Sequence, residues 1–250
     1  MRFENQVIFI TGGASGIGRA TAERVVAEGG RAALVDLDGE RAAQVAAEIG
    51  GGCIGLGANV GDDDQVAAAV QATVEAFGRI DGALAAAGHA EFGPTAEWDS
   101  ERFMRMLSVH VGGTFYTCKH VLPVMKAGGK GAIVTIASTA AVMANNNNVP
   151  YGAAKAGITG LTRQLTFEAL PEVRVNCVAP GRTITGMTTP LMVARGGDLE
   201  KGEEIFGAAI PMKRMGTADE LAAAICFFLS DDSSFITGQT LVVDGGETIA

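Results

Sequence analysis

The stretch Val7-Ile8-Phe9-Ile10-Thr11-Gly12-Gly13-Ala14-Ser15-Gly16-Ile17-Gly18 decides the fold of this chain. Its apolar first part predicts a buried strand, and the pattern from Gly16 to Glu28 predicts the helix that follows. Glycines between a strand and a helix let the backbone approach a pyrophosphate, whose charge the helix N-terminus stabilises. An ordinary glycine-rich turn is the alternative, because the chain contains 35 glycines. The residues that we expect to form a pyrophosphate cradle are Gly12, Ser15, Gly16, Ile17 and Gly18.

Strand-length apolar runs and helical patterns alternate along the rest of the chain. The further predicted strands are 32–35, 53–60, 81–88, 132–138, 173–179 and 239–244, and the further predicted helices are 39–49, 62–77, 101–126, 150–170 and 219–229. The strands are continuously apolar, which predicts burial on both faces and hence a parallel sheet. We therefore expect residues 1–250 to form one α/β domain, a doubly wound Rossmann-type sheet flanked by helices. The segment 183–215 fits no strand–helix unit, and we expect it to be a substrate lid.

Composition and charge disfavour several classes of partner. A net charge of −9 would repel nucleic acids and anionic membranes. No apolar run approaches the length of a membrane span, and the start of the chain lacks a signal-type region, so we expect a cytoplasmic protein. The four cysteines are far apart and the three histidines lack metal-ligand spacing, so we expect free thiols and no metal site.

Asp36 ends the second predicted strand, 24 residues after Gly12. A carboxylate at this place can accept hydrogen bonds from both hydroxyls of an adenosine ribose, but it would repel a 2′-phosphate. Its neighbour Leu37 supplies no cation for such a phosphate. We therefore expect NAD(H) rather than NADP(H), with a solvated strand-end carboxylate as the alternative.

Tyr151 and Lys155 are four residues apart on a predicted helix, and Ser138 precedes Tyr151 by thirteen residues. Spacing of four puts the two side chains on one helix face. A free tyrosine has a pKa near 10, and a cation about 5 Å away would lower that pKa by about two units at an effective dielectric of about 20. A phenol shifted in this way could take a proton from an alcohol and return it in reduction. A surface Tyr/Lys pair, common in helical proteins, is the alternative.

Together these motifs resemble the short-chain dehydrogenase/reductase family, in its branch of about 250 residues, over almost the whole chain. The resemblance implies a sheet with strand order 3-2-1-4-5-6-7 and an NAD-dependent enzyme for alcohols and ketones. It implies that Ser138 orients the substrate oxygen, that Tyr151 transfers the proton and that Lys155 binds the nicotinamide ribose. It also implies a homotetramer assembled through the helices 101–126 and 150–170 and the C-terminal strand.

The same resemblance assigns the remaining cofactor contacts. Asn59 and Val60 are expected beside the adenine, and in the turn 180–185 the backbone of Thr183 is expected to hold the carboxamide. The further residues expected to bind the cofactor are Leu37, Ala87, Gly88, Pro180, Gly181 and Thr185, together with Tyr151 and Lys155. At 85–88 the chain reads Ala-Ala-Ala-Gly where the family has Asn-Asn-Ala-Gly, which puts the bracing of the central sheet in doubt.

His110 stands where the family usually carries an asparagine that interrupts its helix. That asparagine binds a water that relays protons onward from the lysine. His110 could bind the same water, could titrate and join the relay itself, or could be a helix residue that makes one hydrogen bond. All three roles stay open from the sequence.

The substrate pocket is the part that the sequence specifies least. The residues expected to contact substrate are His89, Asn148, Arg182 and Met187, with Ser138 and Tyr151. Asn148 ends a run of four asparagines, which could equally be a solvated turn that caps the helix. The guanidinium of Arg182 could bind an anionic group or form a salt bridge to the lid or to a neighbouring subunit. We expect a small, polar secondary alcohol or its ketone, neutral or anionic.

Two other functions have to be weighed against this one. The first is an NADPH-dependent 3-oxoacyl-thioester reductase, against which Asp36 and the acidic surface argue. The second is an NAD-binding regulatory protein whose catalysis has decayed, suggested by the asparagines missing at 85, 86 and 110. The intact set of Ser138, Tyr151 and Lys155 argues against decay.

Overall fold

The computed structural model describes residues 1–250 and is built on a parallel β-sheet of seven strands. The strands of the structure are β1 (Val7–Thr11), β2 (Arg31–Asp36), β3 (Ile54–Gly57), β4 (Gly82–Ala85), β5 (Gly131–Ile136), β6 (Val173–Pro180), β7 (Thr183–Ile184), β8 (Gly216–Thr217) and β9 (Thr240–Val243). Seven of them lie side by side in the order β3-β2-β1-β4-β5-β6-β9, and β7 pairs separately with β8. Since β7 and β8 lie outside the sheet, β9 is its seventh strand along the chain. The predicted doubly wound sheet and its strand order 3-2-1-4-5-6-7 are thus confirmed.

Helices cover both faces of this sheet. They are α1 (Gly16–Ala27), α2 (Gly39–Ile49), α3 (Asp63–Phe77), α4 (Ser100–Leu107), α5 (Gly113–Ala127), α6 (Val149–Ala169), α7 (Thr189–Gly196), α8 (Leu199–Ala208) and α9 (Ala218–Leu229). One core cluster contains buried side chains of α1, α2 and α9, and the other contains side chains of α3, α5 and α6. None of these helices is long and apolar enough to cross a bilayer.

Strand β1 shows why the apolar runs are continuous. Ile8 and Ile10 pack into the cluster that contains α1 and α9, whereas Phe9 between them packs into the cluster that contains α3 and α5. Successive side chains of a strand point to opposite faces, so a sheet covered on both faces needs apolar residues at every position. All five residues of β1 are buried accordingly.

The predicted helix 101–126 is not continuous in the structure. It is divided into α4 and α5 by a π-helical turn, Ser108–Gly112, with His110 at its centre. Such turns occur inside helices frequently at functional sites. The apolar periodicity on either side continues through the turn, which is why the sequence pattern predicts a single helix.

The predicted lid, 183–215, contains more regular structure than its glycines and prolines suggest. It holds β7, α7 and α8, with α7 and α8 packed closely against each other. A Cβ at Gly202 would lie 2.2 Å from the carbonyl oxygen of Met192, and one at Gly196 would lie 2.2 Å from the amide nitrogen of Gly202. These glycines therefore permit a close helix crossing rather than an irregular loop.

Candidate active site

A cleft of about 580 Å³ lies where the carboxyl ends of the central strands meet. Parallel sheets bind ligands at this edge, because the strand order reverses there and the connecting loops separate. All the residues that the sequence assigns to a cofactor line this cleft: Gly12, Ser15, Gly16, Ile17, Gly18, Asp36, Leu37, Asn59, Val60, Ala87, Gly88, Tyr151, Lys155, Pro180, Gly181, Thr183 and Thr185. Four further predicted site residues line it as well: Ser138, His89, His110 and Met187.

Two glycines at the turn between β1 and α1, Gly12 and Gly18, have no room for a side chain. Gly12 has a φ of +67°, and a Cβ on it would lie 3.0 Å from the Cα of Ala87. A Cβ on Gly18 would lie 2.1 Å from the carbonyl oxygen of Gly12. Bare backbone at the N-terminus of α1 thus faces the cleft, and this geometry fits the pyrophosphate of a dinucleotide.

Asp36 lies at the end of β2, on the wall of the cleft. One carboxylate oxygen accepts a hydrogen bond from the amide of Ala14 at 3.1 Å, which holds the side chain beside the glycine turn. The next residue, Leu37, is 78% exposed. A carboxylate fixed at this place can accept hydrogen bonds from the hydroxyls of a ribose.

Thr11 braces the region in which the two asparagines are missing. Its hydroxyl oxygen accepts hydrogen bonds from the amides of Ala86 and Ala87, at 3.2 and 3.3 Å. These bonds turn the chain away from the sheet after Ala85, so β4 ends there and not at Gly88 as predicted. Thr11 directly precedes the glycine turn, but its sequence position alone does not indicate this role.

Tyr151 and Lys155 project from the first turns of α6 into the cleft. The ammonium of the buried Lys155 donates to the carbonyl of Ile136 at 2.9 Å and lies 5.5 Å from the centre of the Tyr151 ring. Ser138 follows β5, and its hydroxyl oxygen accepts from the amide of Ala140 at 3.2 Å. A hydroxyl, a phenol and an ammonium therefore share one end of the cleft.

The pKa of Tyr151 differs from the sequence-based expectation. Burial raises the pKa of the phenol above its usual value, and a hydrogen bond with Ser138 opposes this only in part. Burial also lowers the pKa of Lys155 to about 8. In the protein alone the pKa of Tyr151 is therefore raised and not lowered as expected, because removal of the phenol from water is the largest effect.

His110 lies beneath the same group of side chains. Its Nε2 is 2.8 Å from the carbonyl oxygen of His89, and its ring packs against Gly88, where a Cβ would lie 2.4 Å from Cε1. Burial, followed by the charge of Lys155, lowers the pKa of His110 to about 3. An imidazole with this pKa is neutral near pH 7 in the protein alone, so titration of His110 is not expected there. Its Nδ1 is buried without a hydrogen-bond partner in the protein.

Two predicted substrate contacts do not line the cleft. Asn148 is buried at the start of α6, where its side chain makes no capping hydrogen bond and its Oδ1 has no partner. Asn148 thus neither lines the cleft nor forms a solvated cap of the helix, which are the two roles considered for it from the sequence. Arg182 is turned away from the cleft, because its Nε binds Glu247 at 2.9 Å and a terminal nitrogen donates to the carbonyl of Phe206 at 3.2 Å. Of the two roles considered for Arg182, the salt bridge is the one observed.

Several lining residues were missed by the sequence analysis. They are Ala58, Ala86, Arg105, Val109, Ile136, Ala137, Gly186 and Thr188. Most directly adjoin a residue that the motifs did identify, so proximity along the chain could have found them. Arg105 could not be found in this way, since it reaches the cleft from α4, where it also pairs with Glu91 at 3.4 Å.

Comparison with known proteins gives a consistent result. A family model described as Enoyl-(Acyl carrier protein) reductase matches residues 12–248. The levodione reductase of Leifsonia aquatica is 37% identical, with 100% of this chain and 96% of that protein covered. The D-threitol dehydrogenase of Mycolicibacterium smegmatis is also 37% identical, with 99% and 95% covered.

Solved structures resemble the whole chain. The crystal structure of levodione reductase superposes with a TM-score of 0.93 at 37% identity, covering 100% of both chains. A structure from Brucella melitensis, described as a short-chain dehydrogenase/reductase and glucose/ribitol dehydrogenase, gives 0.92 at 36% identity, covering 100% of this chain and 99% of that one.

Proposed function

Because the chain belongs to the short-chain dehydrogenase/reductase family, we propose that it is an NAD-dependent oxidoreductase that interconverts a small, polar secondary alcohol and its ketone. One observation carries this proposal: Ser138, Tyr151 and Lys155 line the same cleft as the glycine turn and Asp36. A group that can move a proton and a cradle that fits a dinucleotide thus open into one space.

The cleft fits a dinucleotide cofactor at two places, the backbone of the glycine turn and Asp36 on the cleft wall. The amides at the start of α1 stabilise the pyrophosphate, and Asp36 accepts hydrogen bonds from the adenosine ribose. When bound, the nicotinamide accepts a hydride from the alcohol or donates one to the ketone. Asp36 disfavours a 2′-phosphate by charge, which supports NAD(H) as the cofactor.

Tyr151 moves the proton in this proposal. Its raised pKa keeps the phenol protonated at neutral pH, so Tyr151 is ready to donate to a ketone oxygen. In the other direction it must first lose its own proton, which the positive charges of Lys155 and an oxidised nicotinamide favour. The hydroxyl of Ser138 donates a hydrogen bond to the substrate oxygen and stabilises its developing negative charge.

The substrate end of the cleft supports a polar substrate. His89 and Met187 line it, and desolvation by burial lowers the pKa of His89, so its imidazole is neutral. Arg182 is already paired with Glu247, so its guanidinium is not available to a substrate carboxylate. Arg105, which lines the cleft, pairs with Glu91 at 3.4 Å. The relatives named for levodione and D-threitol support a small, oxygen-bearing compound.

The two alternative functions are less well supported. Asp36 on the cleft wall disfavours the NADPH on which a 3-oxoacyl-thioester reductase would depend, and the relatives compared above are named for other substrates. A decayed, purely regulatory protein would have no need of Ser138, Tyr151 and Lys155 in one cleft. Thr11 also takes over the bracing that the missing asparagines put in doubt.

We extend the proposal to a cytoplasmic homotetramer. Large apolar side chains are exposed on the elements expected to assemble: Phe103 and Met104 on α4, Phe115 on α5, Phe167 on α6 and Leu241 on β9. Exposed apolar patches on soluble domains mark interaction surfaces. Light scattering at micromolar concentration should give the mass of four chains, and the mass of a single chain would contradict the assembly.

The activity is tested with purified protein and a panel of small ketones, diketones and polyols. Oxidation of NADH by a polar ketone, with NADPH much less effective, is the expected result. Preference for NADPH would favour the thioester reductase. Fluorescence of bound NADH without turnover of any compound in the panel, or of the corresponding alcohols with NAD⁺, would favour a decayed enzyme.

A further inference from the structure

Arg182 and Glu247 join two parts of the chain that are far apart in sequence. The Nε of Arg182 binds one oxygen of the Glu247 carboxylate at 2.9 Å. The same guanidinium donates to the carbonyl of Phe206, at the end of α8, and lies 5.4 Å from the centre of the Phe206 ring. One side chain thus ties the C-terminal segment to the lid.

The C-terminal segment is itself held firmly in place for this contact. The carboxylate of Asp244 accepts from the amides of Gly246 and Thr248, at 2.9 and 2.8 Å, and shapes a turn around Glu247. The carbonyl of Gly245 accepts from the amide of Met212, in the lid, at 3.3 Å. The turn therefore presents Glu247 to Arg182 from a fixed position.

Arg182 also lies between two residues of the cofactor cleft. Gly181 and Thr183 line the cleft on either side of it. Its carbonyl accepts from the amide of Gly216, which aligns β7 with β8 and leads the chain into the lid. The side chain that binds Glu247 is therefore attached to backbone that adjoins the cleft.

Glu247 carries a carboxylate that is largely buried. Its side chain is only 8% exposed, and its second carboxylate oxygen has no hydrogen-bond partner. Burial of a carboxylate is costly unless a cation compensates it, and Arg182 is that cation. The pair thus holds together only while the lid and the C-terminal turn are both in position.

We propose that Glu247 is a positioning residue for the cofactor cleft, which acts through Arg182 to hold the lid against the sheet. This inference rests on the proposed function only for its consequence, tighter binding of the dinucleotide. The mechanical part, a lid held by Glu247, can be tested on the protein without any cofactor.

The test compares Glu247→Gln with the wild-type protein. The amide keeps the shape of the side chain but loses the charge that attracts Arg182. Tryptic cleavage of the cofactor-free protein after Arg195 or Lys201, within the lid, should accelerate at least about fivefold, because cleavage follows the population of the open form. The dissociation constant for NADH, measured by fluorescence, should rise in inverse proportion to the fraction of molecules that still present a formed site, by about fivefold if that fraction falls to about one fifth.

Two further variants show whether the residues act as a pair. Arg182→Gln should give effects at least as large as those of Glu247→Gln, because it also removes the contact with the Phe206 carbonyl. The double variant should be no worse than Arg182→Gln within about twofold, as expected for one shared interaction. Arg182→Lys is a milder change, because one terminal nitrogen cannot bind Glu247 and the Phe206 carbonyl together. Its cleavage rate and its dissociation constant for NADH should lie between those of the wild type and of Arg182→Gln. This milder variant still tests the proposal if the stronger variants do not fold.

The control is Asp231→Asn, which breaks an exposed ion pair with Lys130 outside the lid. It should change neither cleavage nor NADH binding. Unchanged cleavage in Glu247→Gln, or additive effects in the double variant, would overturn the positioning role. If the wild type itself fails to bind NADH, the proposed function is wrong, while the cleavage experiment still decides the role of Glu247.

Discussion

The imidazole ring of His110 meets the phenol ring of Tyr151 edge-on, with centroids 5.4 Å apart and planes at 87°. His110 lies in the π-helical turn between α4 and α5, so the interruption of the helix brings this ring beneath the proposed proton donor. The imidazole is buried and neutral, with a pKa of about 3. It therefore packs against the phenol as a neutral ring and holds the backbone of His89.

This contact has a consequence for stability at acid pH. The folded pKa of His110 is about 3, below the unfolded value of about 6.5, so the unfolded chain binds the extra proton between these values. Stability linked to His110 is thus complete above about pH 6.5 and is lost as the pH falls toward 3. When the pH is lowered from 7 to 5, the free energy of unfolding of the wild type should decrease by about 2 kcal/mol more than that of His110→Asn, as measured by urea unfolding. Equal losses in both proteins would contradict a neutral, buried His110.

The pKa of Lys155 predicts how cofactor use depends on pH. Its ammonium has a pKa of about 8, so it is protonated at neutral pH and loses its charge as the pH rises further. The ratio kcat/KM for NADH reports groups of the free enzyme, and it should be constant near neutral pH and fall above about pH 8. Lys155→Met should lower kcat/KM for NADH at every pH and should abolish its decrease above about pH 8. A wild-type profile without a break up to pH 10 would contradict the assignment.

Coenzyme preference should depend on Asp36. The double variant Asp36→Ala/Leu37→Arg loses the ribose contacts and gains a cation, so KM for NAD⁺ should rise at least about tenfold while NADP⁺ becomes a better substrate. Asp38→Ala is the matched control, because Asp38 caps α2 by accepting from the amide of Arg41. This control should leave the preference unchanged. Equal use of NAD⁺ and NADP⁺ by the wild type would show that Asp36 does not determine the coenzyme preference.

The glycine turn and the catalytic helix could be predicted from the sequence, because each depends on residues close together in the chain. Gly12 and Gly18 meet within one turn, and Tyr151 and Lys155 share one helix face whatever the tertiary structure. The sheet order was available only through the family resemblance, since apolar strands do not specify their neighbours.

The errors arise where a side chain depends on distant parts of the chain. Arg182 finds its partner in Glu247, which reaches it only after the C-terminal turn has packed on the lid. Its position after the Pro-Gly turn suggested the cleft, but the direction of its side chain is set by those contacts. The pKa of Tyr151 was misjudged for a related reason, because spacing reveals the nearby lysine and not the extent of burial.

The most direct test of the account compares Tyr151→Phe with the wild type, on whichever ketone of the panel is reduced best. Phenylalanine keeps the ring that packs against His110 and removes only the hydroxyl that transfers the proton. Tyr116→Phe is the matched control, since the chain contains two tyrosines and Tyr116 does not line the cleft. The account predicts that Tyr151→Phe lowers kcat at least about a hundredfold while NADH binds as tightly as in the wild type. Unchanged kcat, or loss of NADH affinity in place of loss of kcat, would show that Tyr151 has a structural role and would contradict the account.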